Sequence, residues 1–372
     1  MPAAVAVGAA AAAILHLTGL ERSRTYSLLV TALLGLGLYA STRSIALTEF
    51  RNRVTMIALA VTVGVVAKIA IIFGVMYLCF RKPDHLVLAV AMAQIDPLAV
   101  AAVRARQRLS PRTNSLLSAW ASFDDPVTAL LTVYVTAFLS GSGDGRSSFG
   151  AGFTAFAQNL FWNLVLAVAG YLVWRGLCAA RRVAWRHRRT ALTAVRAVAV
   201  LVTVVVGLAA VYFSLLLALA LLGLFVRPSL GKLVDGTVRW AMVVAMFAVG
   251  LVLVGGVEPL TGVLLGTAAY CAQALTALVL TMPRSWRHGR ARLMLAQQNG
   301  MTAILLALLV EPAFPGAIGV VVPAIVTANT LHVLCNAMWD RFDPPNPDLE
   351  TSGGVTPFRR SPTRSPLPEP DR

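Results

Sequence analysis

Charge is scarce in this chain, and negative charge most of all: 16 Asp and Glu stand against 32 Lys and Arg in 372 residues, so charged residues make up 13%. Soluble globular domains carry roughly a quarter. With 58% hydrophobic residues and a mean hydropathy of +0.74, this scarcity excludes a water-soluble globular domain, and the apolar material must face lipid. The four cysteines, Cys79, Cys178, Cys271 and Cys335, are far apart and form no CxxC pair, which argues against a zinc site or a disulfide framework. They are expected to be small apolar residues buried within spans. There is no HExxH, no Walker A loop, no Ser/His/Asp set and no cofactor fingerprint, so neither an enzyme nor a bound cofactor is expected. The net charge of +16 would suit nucleic acid, but it is confined to the loops between apolar runs, and the bilayer is the expected partner instead. The run from Ala3 to Leu17 lacks the positive start of a secretory signal and reads as a retained first helix.

A spanning helix needs about 20 apolar residues, because the hydrocarbon core is ~30 Å thick and each residue rises about 1.5 Å. Apolar runs between charged or Pro/Gly breaks give twelve such segments, at 3–19, 26–46, 54–79, 85–103, 114–139, 150–174, 190–209, 210–226, 236–256, 259–281, 291–310 and 315–338. The seventh and eighth form one long apolar run with Gly207 as the turn signal, so eleven spans is the alternative. Basic residues decide between them, since short cytoplasmic loops hold the excess of Lys and Arg. With twelve spans and both ends cytoplasmic, the inner loops receive Arg43, Arg51 and Arg53, then Arg104 to Arg112, the cluster Arg175 to Arg196, then Arg227, Lys232 and Arg239, and Arg284 to Arg292. The outer side holds only Arg22, Arg24, Arg81, Lys82 and Arg146. The expected organisation is an all-α polytopic membrane domain over 1–340 and a disordered cytoplasmic tail over 341–372, rich in Pro, Ser, Thr and Arg.

Two stretches interrupt otherwise good spans: Gln94-Ile95-Asp96-Pro97 in the fourth and Gln297-Gln298-Asn299-Gly300 in the eleventh. Non-helical backbone at membrane depth survives only where it packs against protein or lines a cavity, and a matched pair of broken helices points to inverted repeats with a binding site where the breaks meet. Of the sixteen acidic residues, only Asp96, Asp124 and Asp125 lie clearly within spans. An ionised carboxylate at that depth costs from ~3 to more than 10 kcal/mol, so such residues tend to be functional. A helix-end cap is the plainer reading of an Asp before Pro, and weighs more for Asp96 than for the pair. On the fifth span Ser118, Ser122, Asp125, Thr128 and Thr132 recur at helical spacing and share one face, while Asp124 points about 100° away. Pro97 and Pro126 each free a carbonyl, at Ala93 and Ser122, and such oxygens with hydroxyls and carboxylates suit a small hard cation. One carboxylate can hold a proton or a cation but not both well, so a site exposed alternately to the two sides would exchange one for the other.

Ala93-Gln94-Ile95-Asp96-Pro97-Leu98-Ala99-Val100 and Ser118-Ala119-Trp120-Ala121-Ser122-Phe123-Asp124-Asp125-Pro126-Val127 resemble the paired motifs of bacterial sodium/proton and potassium/proton antiporters, members of the monovalent cation:proton antiporter superfamily. The resemblance extends to Phe247–Leu253 and to Gln298-Asn299-Gly300-Met301-Thr302-Ala303. It implies broken fourth and eleventh helices that cross, a plasma-membrane location, a homodimer, and exchange of a monovalent cation for protons. It also implies that Asp125 is the cation- and proton-binding carboxylate, Asp124 its neighbour and Asp96 the aspartate of the unwound fourth span, with Asp125 and Asp96 contacting the metal ion and Ser122, Thr128, Gln298 and Asn299 in support. Two departures stand out. Gln94 and Ile95 occupy the place where the family often has a threonine, and the eleventh span offers Gln297, Gln298 and Asn299 where the family frequently has a lysine or arginine. Lys68, in the middle of the third span, is the candidate substitute counter-charge, set against simple snorkelling or an unrelated local pair.

Asn159 and Asn163 on the sixth span, and Asn329, His332 and Asn336 on the twelfth, are read first as hydrogen-bonding glue between helices. His16 is expected to be interfacial, and Glu258 and Glu311, each before a proline, to mark boundary turns. A channel and an inverted-repeat transporter of an organic solute are the rival classes. The acidic centre disfavours an organic anion, which would call for basic residues or helix N-termini at mid-membrane.

Overall fold

The computed structural model describes residues 2–15, 19–43, 54–97, 100, 111–140, 148–187, 189–226, 231–282 and 287–342. All regular secondary structure among these residues is helical, with no strand. The segments are α1 (Pro2–Leu15), α2 (Arg24–Arg43), α3 (Val54–Leu59), α4 (Val65–Phe80), α5 (His85–Met92), α6 (Pro111–Ser140), α7 (Ser148–His187), α8 (Arg189–Tyr212), α9 (Leu216–Phe225), α10 (Gly231–Leu253), α11 (Pro259–Leu280), α12 (Arg287–Met294), α13 (Met301–Val310) and α14 (Ala317–Phe342). Among the described residues, six helical stretches are long and apolar enough to cross a bilayer: Arg24–Arg43, Ile57–Phe80, Phe156–Ala180, Gly236–Leu253, Pro259–Leu280 and Ala317–Phe342. The tail from Asp343 onward and His16 lie outside the described residues.

Burial sorts the helices into centre and rim. Half of the α11 window is buried against neighbours, whereas only 17% of the α7 window is, and α7 turns Phe161, Trp162, Leu164 and Leu172 outward. A helix apolar all round and so little covered has lipid as its surroundings. At the centre α11 packs on α14 through Gly262 and Gly266, where a Cβ would fall 2.7 Å from the Val320 carbonyl oxygen and 2.3 Å from that of Ala324. Small residues one turn apart let two membrane helices approach backbone to backbone, where lipid tails offer no hydrophobic drive for association. The cysteines depart from expectation: Cys79 and Cys271 are exposed and Cys178 and Cys335 half-buried, all four free thiols. In a bilayer an outward apolar residue costs nothing, so apolar character does not imply an inward face.

The turn between the seventh and eighth predicted spans falls later than Gly207. The α8 helix carries Gly207 in its interior and ends at Tyr212, and the chain reverses through Ser214 in the left-handed region (φ 55°). The new helix is held from a distance: the buried Asn163 accepts the Ala218 N–H at 2.7 Å, satisfying a donor of the first turn that has no partner within its own helix. Its amide nitrogen bonds Asn159 in turn, at 2.9 Å to the carbonyl and 2.8 Å to the side chain. Asn163→Ala should therefore destabilise the fold by about 1–3 kcal/mol, the cost of an orphaned buried N–H, read as a lowered Tm of the purified protein.

Glu311 does similar work at the far end. Its two carboxylate oxygens accept the N–H groups of Gly316 (2.6 Å) and Ile318 (2.8 Å), capping the start of α14. Glu258 precedes Pro259 at the start of α11 and accepts the Thr261 hydroxyl at 3.0 Å. Both acidic residues serve boundary turns.

Candidate functional site

Both interrupted stretches remain non-helical, and they lie against each other. Helix α5 ends at Met92 and the backbone over Ala93–Asp96 is irregular; likewise α12 ends at Met294 and α13 starts only at Met301. The freed backbone groups of one break are satisfied by the other. Asp96 N–H donates to the Gln298 carbonyl at 2.9 Å, and the Gln297 amide donates to the carbonyls of Gln94 (2.9 Å) and Met92 (3.3 Å). The Asn299 amide donates to the same two carbonyls, at 3.2 and 3.3 Å. Asn329 on α14 clamps Asn299 from behind, accepting its N–H at 3.1 Å and donating to its carbonyl at 2.8 Å. Polar side chains thus replace the missing helical ladder, which is what allows such backbone to exist within a bilayer.

Helix α6 brings the aspartate pair to this junction, with Pro126 inside the helix. Asp96, Asp124, Asp125 and Lys68 are each no more than 1% exposed. The helical geometry of α6 sends the two aspartates different ways. Asp124 meets the Lys68 ammonium at 2.5 Å, and that ammonium also lies 5.5 Å above the Trp120 ring. Lys68 sits in α4 about one turn beyond a π-helical segment, Ala60–Gly64, and is the one buried lysine or arginine among the described residues. Asp125 faces α13 instead, where its Oδ2 accepts the Thr302 hydroxyl at 2.9 Å. Asp96 Oδ2 accepts the Thr302 N–H at 3.4 Å, so one residue in the first turn of α13 serves both carboxylates. A helix start with its free N–H groups and positive dipole end is a natural seat for negative charge. A Cβ on Gly300 would lie 2.5 Å from Asp96 Oδ2, so any side chain there displaces that carboxylate.

Thr128 is buried beside Asp125 and donates its hydroxyl to the carbonyls of Asp124 (2.9 Å) and Asp125 (3.0 Å). Ser122 is buried one turn earlier on α6. Gln298 reaches away from the carboxylates and contacts His332 Nε2 at 2.7 Å; the other ring nitrogen faces the Leu295 carbonyl at 2.7 Å, so the ring proton sits on Nδ1. Asn336 also donates to Leu295 (3.1 Å) and accepts from Arg292, which pairs with Asp340. Gln298, His332 and Asn336 thus tie α14 to the second break, away from the carboxylates. Two residues of the junction, Gln94 and Thr302, were not singled out as ligands from sequence. Thr302 could have been, as a hydroxyl in the first turn after Gly300. Among the described residues no group of three His, Cys, Asp or Glu side chains is spaced to hold a resident metal.

The architecture is that of an all-helical multi-pass membrane protein, with two broken helices joined at a buried carboxylate cluster. In fold it is similar to the sodium proton antiporter MjNhaP1 from Methanocaldococcus jannaschii, with a TM-score of 0.61 and 14% sequence identity over 92% of this chain and 96% of that one. No protein-family model and no curated protein matches the sequence.

Proposed function

We propose that this chain is a secondary transporter that exchanges a monovalent cation, sodium or potassium, for protons across the plasma membrane by alternating access. The observation that carries the reading is the junction itself: buried Asp96 and Asp125 meet on Thr302 where two broken helices join, with the Asp124–Lys68 pair buried beside them. Burying an ionised carboxylate costs several kcal/mol, and at Asp125, whose hydrogen-bond partner Thr302 is neutral, either a proton or a cation can offset that cost. Asp125 is the exchanging carboxylate, Asp96 the second contact for the cation, and Asp124 the partner of Lys68. Lys68 stands in for the basic residue that the family resemblance places on the eleventh span. Ser122 and Thr128 supply oxygen atoms, and Gln298 and Asn299 hold the second break in place. Twelve spans with both termini cytoplasmic and crossing fourth and eleventh helices complete this reading.

The acidic centre disfavours an organic anion. Radioactive sodium or potassium uptake into proteoliposomes, driven by an imposed pH gradient, tests the proposal: uptake that persists when the gradient is collapsed by a protonophore would count against exchange. Gly300→Ala, which pushes a methyl against Asp96, should raise the cation KM roughly tenfold, equivalent to about 1.4 kcal/mol.

A further inference from the structure

The fully buried Gln94 amide lies between Asp125 and α13. One end of the amide is 2.7 Å from the Ala303 N–H, and the other is 2.8 Å from Asp125 Oδ1 and 3.0 Å from Thr128 Oγ1. Ala303 is the third residue of α13, so its N–H has no acceptor within the helix. With the amide oxygen on Ala303 and the nitrogen on Asp125 and Thr128, every donor meets an acceptor, provided that Asp125 Oδ1 is free to accept. A proton on Oδ1 aimed at the amide, or a cation seated between Oδ1 and the amide, reverses the requirement. Either one needs an oxygen opposite it, and the amide can offer that oxygen only by turning half a revolution. Its nitrogen then faces the Ala303 N–H, donor against donor, and this link from the first break to α13 is lost, leaving the longer one from the Thr302 N–H to Asp96.

Resting on the exchange reading above, we infer that Gln94 is a positioning residue that enforces coupling: its amide adds a hydrogen bond from the first break to the start of α13 when the site is empty and withdraws it when either a proton or a cation is loaded. An exchanger needs this rule. A loaded carrier must reorient, whereas an empty one that reorients lets the cation run downhill alone. The two loads are chemically different, yet each turns the same amide, so a single side chain reads both.

Gln94→Met fills the same space without either polar end. Proton movement by a pH-sensitive dye and radioactive sodium movement are measured in one batch of proteoliposomes, for wild type, Gln94→Met, Gln94→Glu and Asp125→Asn. In Gln94→Met the protons moved per cation are expected to fall to about half or less, as the empty form gains access to both sides. Gln94→Glu presents an acceptor to Ala303 and to the cation at once, so its cation KM and kcat are both expected to fall severalfold, from a tight but slow loaded state. The inference is overturned if proton and cation movement in Gln94→Met drop in proportion, as they would for a merely structural residue. Should Gln94→Met fail to give a monodisperse folded protein, a Gln94→Glu variant whose KM stays at or above the wild-type value overturns it instead. Asp125→Asn separates the two readings: if that variant still exchanges, the proposed site is wrong, and if it is inactive while the Gln94 variants keep the wild-type ratio, only the coupling role fails.

Discussion

Lys68→Met is expected to destabilise the protein by about 3–5 kcal/mol, because it strands the Asp124 carboxylate without its ammonium at a position fully shielded from solvent. The stem of Met fills most of the volume of the lysine chain, so the loss is electrostatic rather than a matter of packing. The matching Asp124→Asn change should be similarly harmful alone, leaving an ammonium over the Trp120 ring with no counter-charge. Combined, the two changes leave a neutral pair, and most of the lost stability should return. Thermal unfolding of the three variants in detergent gives the cycle; additive losses in the double variant would mean that the two side chains do not depend on each other. The same cycle separates a local ion pair from a transport role, since a neutral pair that restores folding but not exchange assigns the Lys68–Asp124 pair a part in transport.

Asp125→Asn has the largest expected effect on function. Asparagine keeps the size of the side chain and an oxygen for the Thr302 hydroxyl, so the fold should survive. It cannot take up a proton, and it offers a cation no charge. Exchange should fall to the level of protein-free vesicles, with gel filtration and Tm close to wild type.

Much of this arrangement is legible in the sequence. The carboxylates stood out because charge is so scarce in the spans, and the helical spacing on α6 separates Asp124 from Asp125 without knowledge of what either faces. The two breaks were legible because Pro97 and Gly300 flank polar residues in apolar surroundings. What was not legible lies in pairings across the chain. Nothing in the apolar run marks Ser214 as the turn after α8, since the helix that follows is capped by Asn163, 55 residues before the residue it holds. Gln94 looked like a departure from a threonine position, and its meaning appears only when Asp125 and Ala303 are placed at its two ends. The outward cysteines mark a limit of a different kind: hydropathy places a residue within the bilayer, but not on the lipid or the protein side of its helix.

The most direct test of the account is dequenching of a pH-sensitive dye in proteoliposomes holding the wild-type protein and a preset pH gradient, on separate addition of sodium, potassium and lithium from mildly acidic to alkaline pH. The account predicts that at least one of these ions dissipates the gradient in a saturable, protein-dependent way, with organic solutes of similar charge inert; a gradient that none of the three ions disturbs at any pH would contradict it.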